Sequence, residues 1–490
     1  MTRSSAAALA RCVRRRATPP TPTPATILGT SLTVDAHPGA LCAMGNNIGG
    51  FRGEGKRCCH GGRASTSEPG KVSPGGFVGT RCRGGGRGLS TFLADSLRES
   101  VTSAGIDRIC NGAGPGSTID DPTVSAMDDF VYNIDLQQMP ANHYKPSPST
   151  PDPFELVKGE LSTLSDGIKA LVGTDHPVLN AAAKYFFEID GGKKIRPTMV
   201  LLMSHACNSH GRQEASTTGN KETLEAKNRY KDLMKCQRRL AEITEMIHTA
   251  SLFHDDVIDE ANTRRGVPSV NKVFGNKLAI LAGDFLLARA SVNLARLRST
   301  ETVELLSTVI EHLVKGEVLQ MRPLVEGGRA FEYYVRKNYY KTGSLMANSC
   351  KAAAILGEHG HEIQTIAHEY GKRVGLAFQL VDDILDFEGD LFTLGKPALN
   401  DLRQGLATAP VLLAAQEQPR LNDLIQRKFE APGDVDEALA LVQASDGIKR
   451  AKDVARVQAE AAMEAILHLS YSPEREALVQ LAHKVVHRTH

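Results

Sequence analysis

The chain has 490 residues, a formal net charge of +2, 41% hydrophobic residues and no tryptophan. Near-balanced charge argues against a nucleic-acid binder that works through a broad basic surface. The length allows one large domain or two to three smaller ones, and no apolar run of about 18 residues reads as a membrane-spanning helix.

The chain opens with Arg3, Arg11, Arg14, Arg15 and Arg16 among Ser, Ala and Leu, and no acid precedes Asp35. This is the composition of an organellar transit peptide, assigned to residues 1–35, and it favours the mitochondrion over the plastid. Residues 36–151 read as a low-complexity, disordered region, Gly-rich at first and ending in a linker with Pro140, Pro146 and Pro148. Cys12, Cys42, Cys58, Cys59, Cys82 and Cys110 fall in these segments with no CxxC pair and no regular framework. Cys58-Cys59-His60 reads as a chance grouping rather than a metal cluster.

From residue 152 to 490, helical periodicity dominates and strand alternation is nearly absent. Helices are predicted over Phe154–Val172, Pro197–Cys207, Leu240–Ile258, Leu278–Leu297, Val303–Gln320, Tyr333–Leu356, Glu362–Phe387, Ala407–Gln416, Val435–Ser445, Ile448–Leu469 and Pro473–His487. Residues 208–235, with a dense charge run, read as an inserted surface loop. The expected fold is a single all-α domain of ten or more helices, too large for a simple four-helix bundle.

Two acidic runs stand at the ends of apolar helical stretches: Asp255-Asp256-Val257-Ile258-Asp259 and Asp382-Asp383-Ile384-Leu385-Asp386. The first and fifth positions of each project from one helix face. Facing each other, the runs would wall a cavity with up to six carboxylates, which repel one another when ionised. Mg²⁺ takes one or two carboxylates plus phosphate oxygens, so several such ions and a diphosphate would resolve the repulsion. A lone DDxxD is more often a solvated helix face; the repetition within apolar surroundings favours the metal site.

Cations flank these runs. Asp190-Gly191-Gly192 is a turn followed by Lys193, Lys194, Arg196 and Pro197, and a turn opening into a helix suits an anion. Arg264 and Arg265 follow the first run and can grip phosphate oxygens in bidentate fashion. Lys341-Thr342 and Gly395-Lys396-Pro397 add two more cations near predicted helix ends.

These segments, with GGKKIRP, EMIHTASLFHDDVIDEANTRRG, GEVLQM, KTGSLMANSCKAA and GLAFQLVDDILDFEGD, closely resemble the trans-isoprenyl diphosphate synthases. The long-chain mitochondrial members that make the ubiquinone tail are nearest in pattern. The resemblance implies a large helical bundle of the isoprenoid synthase type with a central cavity. It implies an Mg²⁺-dependent prenyltransferase that condenses isopentenyl diphosphate onto an allylic diphosphate. Lys193, Arg196, His248 and Arg265 match the isopentenyl diphosphate positions. Arg264, Lys341, Thr342, Gln379 and Lys396 match the allylic positions. Asp255, Asp259 and Asp382 match Mg²⁺ ligands, and Asp256, Asp383 and Asp386 complete the catalytic acid set. Lys484 and Arg488 are candidates for closing the site.

Short-chain relatives floor their cavity with aromatics four or five residues before the first aspartate. Here those positions hold Ser251 and Ala250, which favours a long product. The resemblance further implies a homodimer, or a heteromer with a related subunit, and peripheral contact with the inner mitochondrial membrane. Three rivals stand beside this reading: a terpene cyclase, a farnesyl or geranylgeranyl diphosphate synthase, and a non-catalytic subunit. A cyclase normally carries a different second metal motif, and non-catalytic subunits lose aspartates or cations that this chain keeps.

Overall fold

Apolar residues spaced three and four apart fold this chain into helices, each burying one stripe. Leu240, Ile243, Ile247 and Ala250 form such a stripe, and all four are fully buried. Each of the larger side chains contributes roughly 1.5–3 kcal/mol on burial.

The computed structural model describes residues 150–488, apart from 174–176, 189–193, 218–223, Arg265, 322–329 and 389–398. The expected transit peptide, the low-complexity region up to 149 and Cys58-Cys59-His60 lie outside the described residues. In chain order the elements are α1 (Pro153–Leu156), α2 (Lys158–Val172), α3 (Pro177–Glu188), α4 (Ile195–Thr217) and α5 (Leu224–Ile258). A two-stranded antiparallel hairpin follows, β1 (Thr263–Arg264) with β2 (Val267–Pro268), Arg264 paired with Val267. Next come α6 (Val270–Phe274), α7 (Asn276–Arg296), α8 (Thr300–Met321), α9 (Ala330–Asn338), a π-helical turn (Tyr339–Gly343) and α10 (Ser344–Leu356). The C-terminal part holds α11 (His361–Glu388), α12 (Asn400–Arg403), α13 (Ala409–Ala414), α14 (Arg420–Gln426), α15 (Asp434–Gln443), α16 (Gly447–Leu467) and α17 (Pro473–Val486).

Start signals are visible at both ends of the described chain. Asp152 caps α1, accepting from the Phe154 and Glu155 amides at 2.9 and 3.2 Å, with Pro153 in the first turn. Ser472 caps α17, accepting from the Arg475 amide at 3.1 Å ahead of Pro473.

α11 is the organising helix. Tyr370, Val374 and Ala377 belong to one buried cluster with α4, α5, α7 and α10. Leu376, Leu380, Val381 and Ile384 belong to a second, with α9, α13, α15 and α16. It packs against α10 and α16, and approaches the π turn and α10 closely through glycines. A Cβ on Gly375 would lie 2.7 Å from Gly343 Cα, and one on Gly371 would lie 2.5 Å from the Met346 carbonyl.

The all-α expectation holds, with four corrections. Residues 208–217 and 224–235 are helical ends of α4 and α5, not loop. Their polar surface hides the period, while Asn208, His210 and Met234 are buried on the inner side. The single helix expected over Tyr333–Leu356 is interrupted by the π turn, where Tyr339, Tyr340, Thr342 and Gly343 are all buried. A wider turn points more consecutive side chains inward than an α-helix does, and such turns recur at functional sites. Four helices (α3, α6, α12, α14) and the hairpin had no sequence expectation; all but α3 are short. Finally, α7 is long and apolar enough, by length and composition, to cross a membrane. Its Ala279, Ala282, Leu286, Ala290 and Leu294 are nevertheless packed in the core.

Candidate active site

Both acidic runs lie at helix C-terminal ends. Asp255 and Asp256 are in the last turn of α5, Asp259 follows it, and Asp382, Asp383 and Asp386 end α11. The negative pole of each helix dipole therefore adds to the repulsion among the carboxylates. Such an end needs positive charge, and the structure supplies it unequally.

In the first run, Asp256 is buried and held. Arg264 donates from Nε to Asp256 Oδ1 at 2.7 Å, and its Nη2 forms an ion pair with the same oxygen at 2.6 Å. Asn271 Nδ2 donates to the Asp256 carbonyl at 2.9 Å, so the hairpin and α6 clamp the end of α5. Among the described residues, no hydrogen bond or ion pair reaches the carboxylates of Asp255 or Asp259. Burial pushes the Asp255 carboxyl up to about 7, with Glu317 and Asp259 adding repulsion against the pull of Lys341 and Arg264. Burial and Glu317 raise Asp259 as well.

In the second run every aspartate has a protein partner. Arg488 donates to Asp382 Oδ1 at 2.7 Å and to the Phe378 carbonyl at 2.7 Å, its guanidinium 3.9 Å from the Phe378 ring centre. Asp383 is buried; Gln379 Nε2 donates to Oδ1 at 2.8 Å and the Tyr334 hydroxyl to Oδ2 at 2.6 Å. Burial raises the Asp383 carboxyl to about 6, which these two donors and Lys337 hold down from a higher value. Asp386 caps α12, accepting from the amides of Asn400 at 3.1 Å and Asp401 at 3.0 Å.

The π turn joins the two runs. Lys341 pairs with Glu317 on α8 and donates to Gln320 Oε1 at 3.1 Å, and its charge acts on Asp255 and Asp259. Its neighbour Thr342 donates to Gln379 Oε1 at 2.9 Å, one residue link from Asp383. Consecutive residues of one turn thus serve the two acidic motifs.

On the other flank, Arg196 Nη1 lies 3.0 Å from His248 Nε2. Arginine can only donate, so this ring nitrogen accepts and the proton of the neutral imidazole is on Nδ1. Ala250 is fully buried; Ser251 is half-buried, its hydroxyl donating to the His248 carbonyl at 2.9 Å. Lys193, Arg265 and Lys396 lie outside the described residues. Of the two C-terminal candidates, Arg488 reaches the second run, whereas Lys484 pairs with Asp152 and ties α17 to α1. Glu317, Gln320, Tyr334 and Lys337 were missed from sequence. Glu317 and Gln320, three apart in the apolar KGEVLQM, were the available signal.

The donor set is all oxygen. Among the described residues no group of three His, Cys, Asp or Glu is preassembled for a metal ion. The all-oxygen set suits a hard divalent cation, a class in which Mg²⁺ takes one or two carboxylates and completes its shell with phosphate and water. Asp255 and Asp259, without partners among the described residues and raised by burial and repulsion, are the carboxylates such an ion would relieve.

The site is thus an all-α bundle with two aspartate runs at helix ends, interleaved with arginine and lysine. The family model described as Polyprenyl synthetase matches residues 176–442. The chain is 47% identical over 345 residues to solanesyl-diphosphate synthase 1, mitochondrial, of Oryza sativa subsp. japonica, spanning 69% of this chain and 79% of that protein. It is 44% identical over 385 residues to a probable hexaprenyl pyrophosphate synthase, mitochondrial, of Yarrowia lipolytica, spanning 69% and 85%. The crystal structure of a polyprenyl synthase from Caulobacter crescentus, complexed with calcium and isoprenyl diphosphate, matches with a TM-score of 0.60. Identity there is 29%, over 71% of this chain and 100% of that one. The chain belongs to the polyprenyl synthetase family.

Proposed function

We propose that this chain is an Mg²⁺-dependent long-chain trans-polyprenyl diphosphate synthase acting in the mitochondrion, with its product destined for the ubiquinone side chain. The observation that carries the reading is the π turn, whose Lys341 charge acts on Asp255 and Asp259 while its neighbour Thr342 donates to Gln379, which in turn donates to Asp383. When bound by Asp255, Asp259 and Asp382, Mg²⁺ supplies the positive charge against which an allylic diphosphate departs.

The protein's own groups do the rest. Arg264, Lys341 and Lys396 add fixed positive charge at the same diphosphate, so the allylic C–O bond breaks to give a carbocation. Lys193, Arg196, His248 and Arg265 hold isopentenyl diphosphate with its double bond facing that cation. The alkene electrons form the new C–C bond, and a proton then leaves to the departed pyrophosphate. Water is kept out, because it would capture the cation. Each cycle returns an allylic diphosphate one isoprene unit longer. Ala250 and Ser251 leave room for it to grow, and Arg488, which donates to Asp382, would help close the site.

The exposed aliphatic face of α7 and α8 (Ile280, Leu281 and Val292; Val314, Val318 and Met321) is where a second subunit of the same fold sits. Catalysis on the matrix side of the inner membrane lets the apolar product pass into the bilayer. Purified protein incubated with isopentenyl diphosphate, Mg²⁺ and a farnesyl or geranylgeranyl primer tests the reading. A long polyprenyl product supports it. A product that stops at geranylgeranyl, or inactivity without a second gene product, refutes the long-chain or the self-sufficient form.

A further inference from the structure

Tyr334 is among the largest fully buried side chains, and no part of the chemistry above uses it. It lies on α9, ahead of the π turn. Its hydroxyl donates to Asp383 Oδ2 at 2.6 Å; Gln379 Nε2 donates to Oδ1 at 2.8 Å; Thr342 Oγ1 donates to Gln379 Oε1 at 2.9 Å. Four side chains from three elements therefore form one continuous chain.

The direction of the chain is fixed by its ends. A carboxylate only accepts, so Asp383 must face the amide nitrogen of Gln379, which leaves the amide oxygen facing Thr342. Turning Gln379 over would set its oxygen against a buried carboxylate. Tyr334 is the opposing donor that holds Asp383 in the orientation required. Burial and the neighbouring Asp383 push the phenol well above its ordinary range, so it stays a donor. Lys337 reinforces the anchor, with its ammonium 5.8 Å from the Tyr334 ring centre and its charge acting on Asp383.

We infer that Tyr334 is a positioning residue for the allylic-diphosphate subsite: through Asp383 and Gln379 it anchors the Thr342 side chain, whose one proton goes to Gln379, and so holds the π turn that presents Lys341. The inference rests on the assignment of Lys341 and its neighbour Thr342 to the allylic substrate. Tyr334→Phe removes one oxygen and keeps the ring packed. It should raise KM for the allylic primer about fivefold, as expected for one lost hydrogen bond, and leave KM for isopentenyl diphosphate within about twofold.

Steady-state kinetics on Tyr334→Phe, Thr342→Ala and the double variant decide the matter, with thermal melting as a fold control. If the two residues act as one unit, the double variant is no worse than Thr342→Ala alone. Effects that multiply would overturn the relay. Wild-type primer KM in Tyr334→Phe, alongside a raised value in Thr342→Ala, would overturn the relay and leave the allylic assignment standing. Unchanged primer KM in Thr342→Ala would overturn both. Should Tyr334→Phe fail to fold, Asp383→Asn replaces it and must give the same primer-selective rise; equal losses for both substrates would overturn the proposal.

Discussion

Arg264 grips Asp256 through two nitrogens at 2.7 and 2.6 Å, while Asp255, one residue earlier, has no such partner among the described residues. Adjacent aspartates of one helix end therefore have opposite duties. Asp256 is a buried anchor for the hairpin, and Asp255 is an electrostatically unsatisfied carboxylate waiting for positive charge. Substitution should separate them. Asp256→Ala strands Arg264 and loosens the end of α5, and should destabilise the fold by about 3 kcal/mol. Denaturant melts check this, and a loss below about 1 kcal/mol would mean the pair is only a surface contact.

Asp255 should show the reverse effect. Its carboxyl rises from an ordinary 3.8 to about 7. A carboxyl raised on folding gives stability that is full below its unfolded value and lost as pH climbs through the folded one. Metal-free protein should thus weaken between pH 4 and about 7 through this group. Asp255→Asn lacks the group, so its melting temperature should exceed wild type by more at pH 8 than at pH 5, a gap that shrinks on adding Mg²⁺. Melting curves in EDTA at the two pH values test the sign.

Gly316 lies under Lys341. A Cβ there would be 2.6 Å from Lys341 Cγ and 3.2 Å from its amide nitrogen. The lysine side chain is the part that can move, and moving it breaks the contact with Glu317 and Gln320. Gly316→Ala should therefore raise KM for the allylic primer about tenfold. Helix propensity offsets part of any loss of stability. Kinetics with each substrate varied in turn would show the selectivity, and an equal effect on isopentenyl diphosphate would contradict it.

Product length can be tested at Ala250, which is fully buried on α5. It lies five residues before Asp255, a rise of roughly 7.5 Å, about one to two isoprene units below the diphosphates. Ala250→Tyr should shorten the dominant product sharply while the first condensation persists. Overpacking there costs about 1–3 kcal/mol, so activity on the first step is the necessary control. An unchanged long product by chromatography would place the growth path elsewhere.

The parts legible in sequence were those written in local spacing. The aspartate runs, their positions at helix ends and the long helices α5 and α11 follow from apolar periodicity and from motifs within a few residues. The π turn was not legible, because one widened turn leaves the apolar pattern of Tyr333–Leu356 unbroken. Residues 208–235 read as loop because a polar helix surface has no visible period; tertiary packing on Asn208 and Met234 sets it. Tyr334, Lys337 and Glu317 gain their roles only when α8, α9 and α11 meet. The division of the six aspartates between held and open also depends on partners far along the chain, Arg488 above all.

The central claim is that the two aspartate runs act together on one allylic diphosphate. Turnover of Asp255→Ala and Asp382→Ala at saturating Mg²⁺, with helical content followed by circular dichroism, tests it most directly. Both variants should keep the helical fold and lose activity by several orders of magnitude. Near-wild-type turnover in either variant would contradict a shared metal-dependent site.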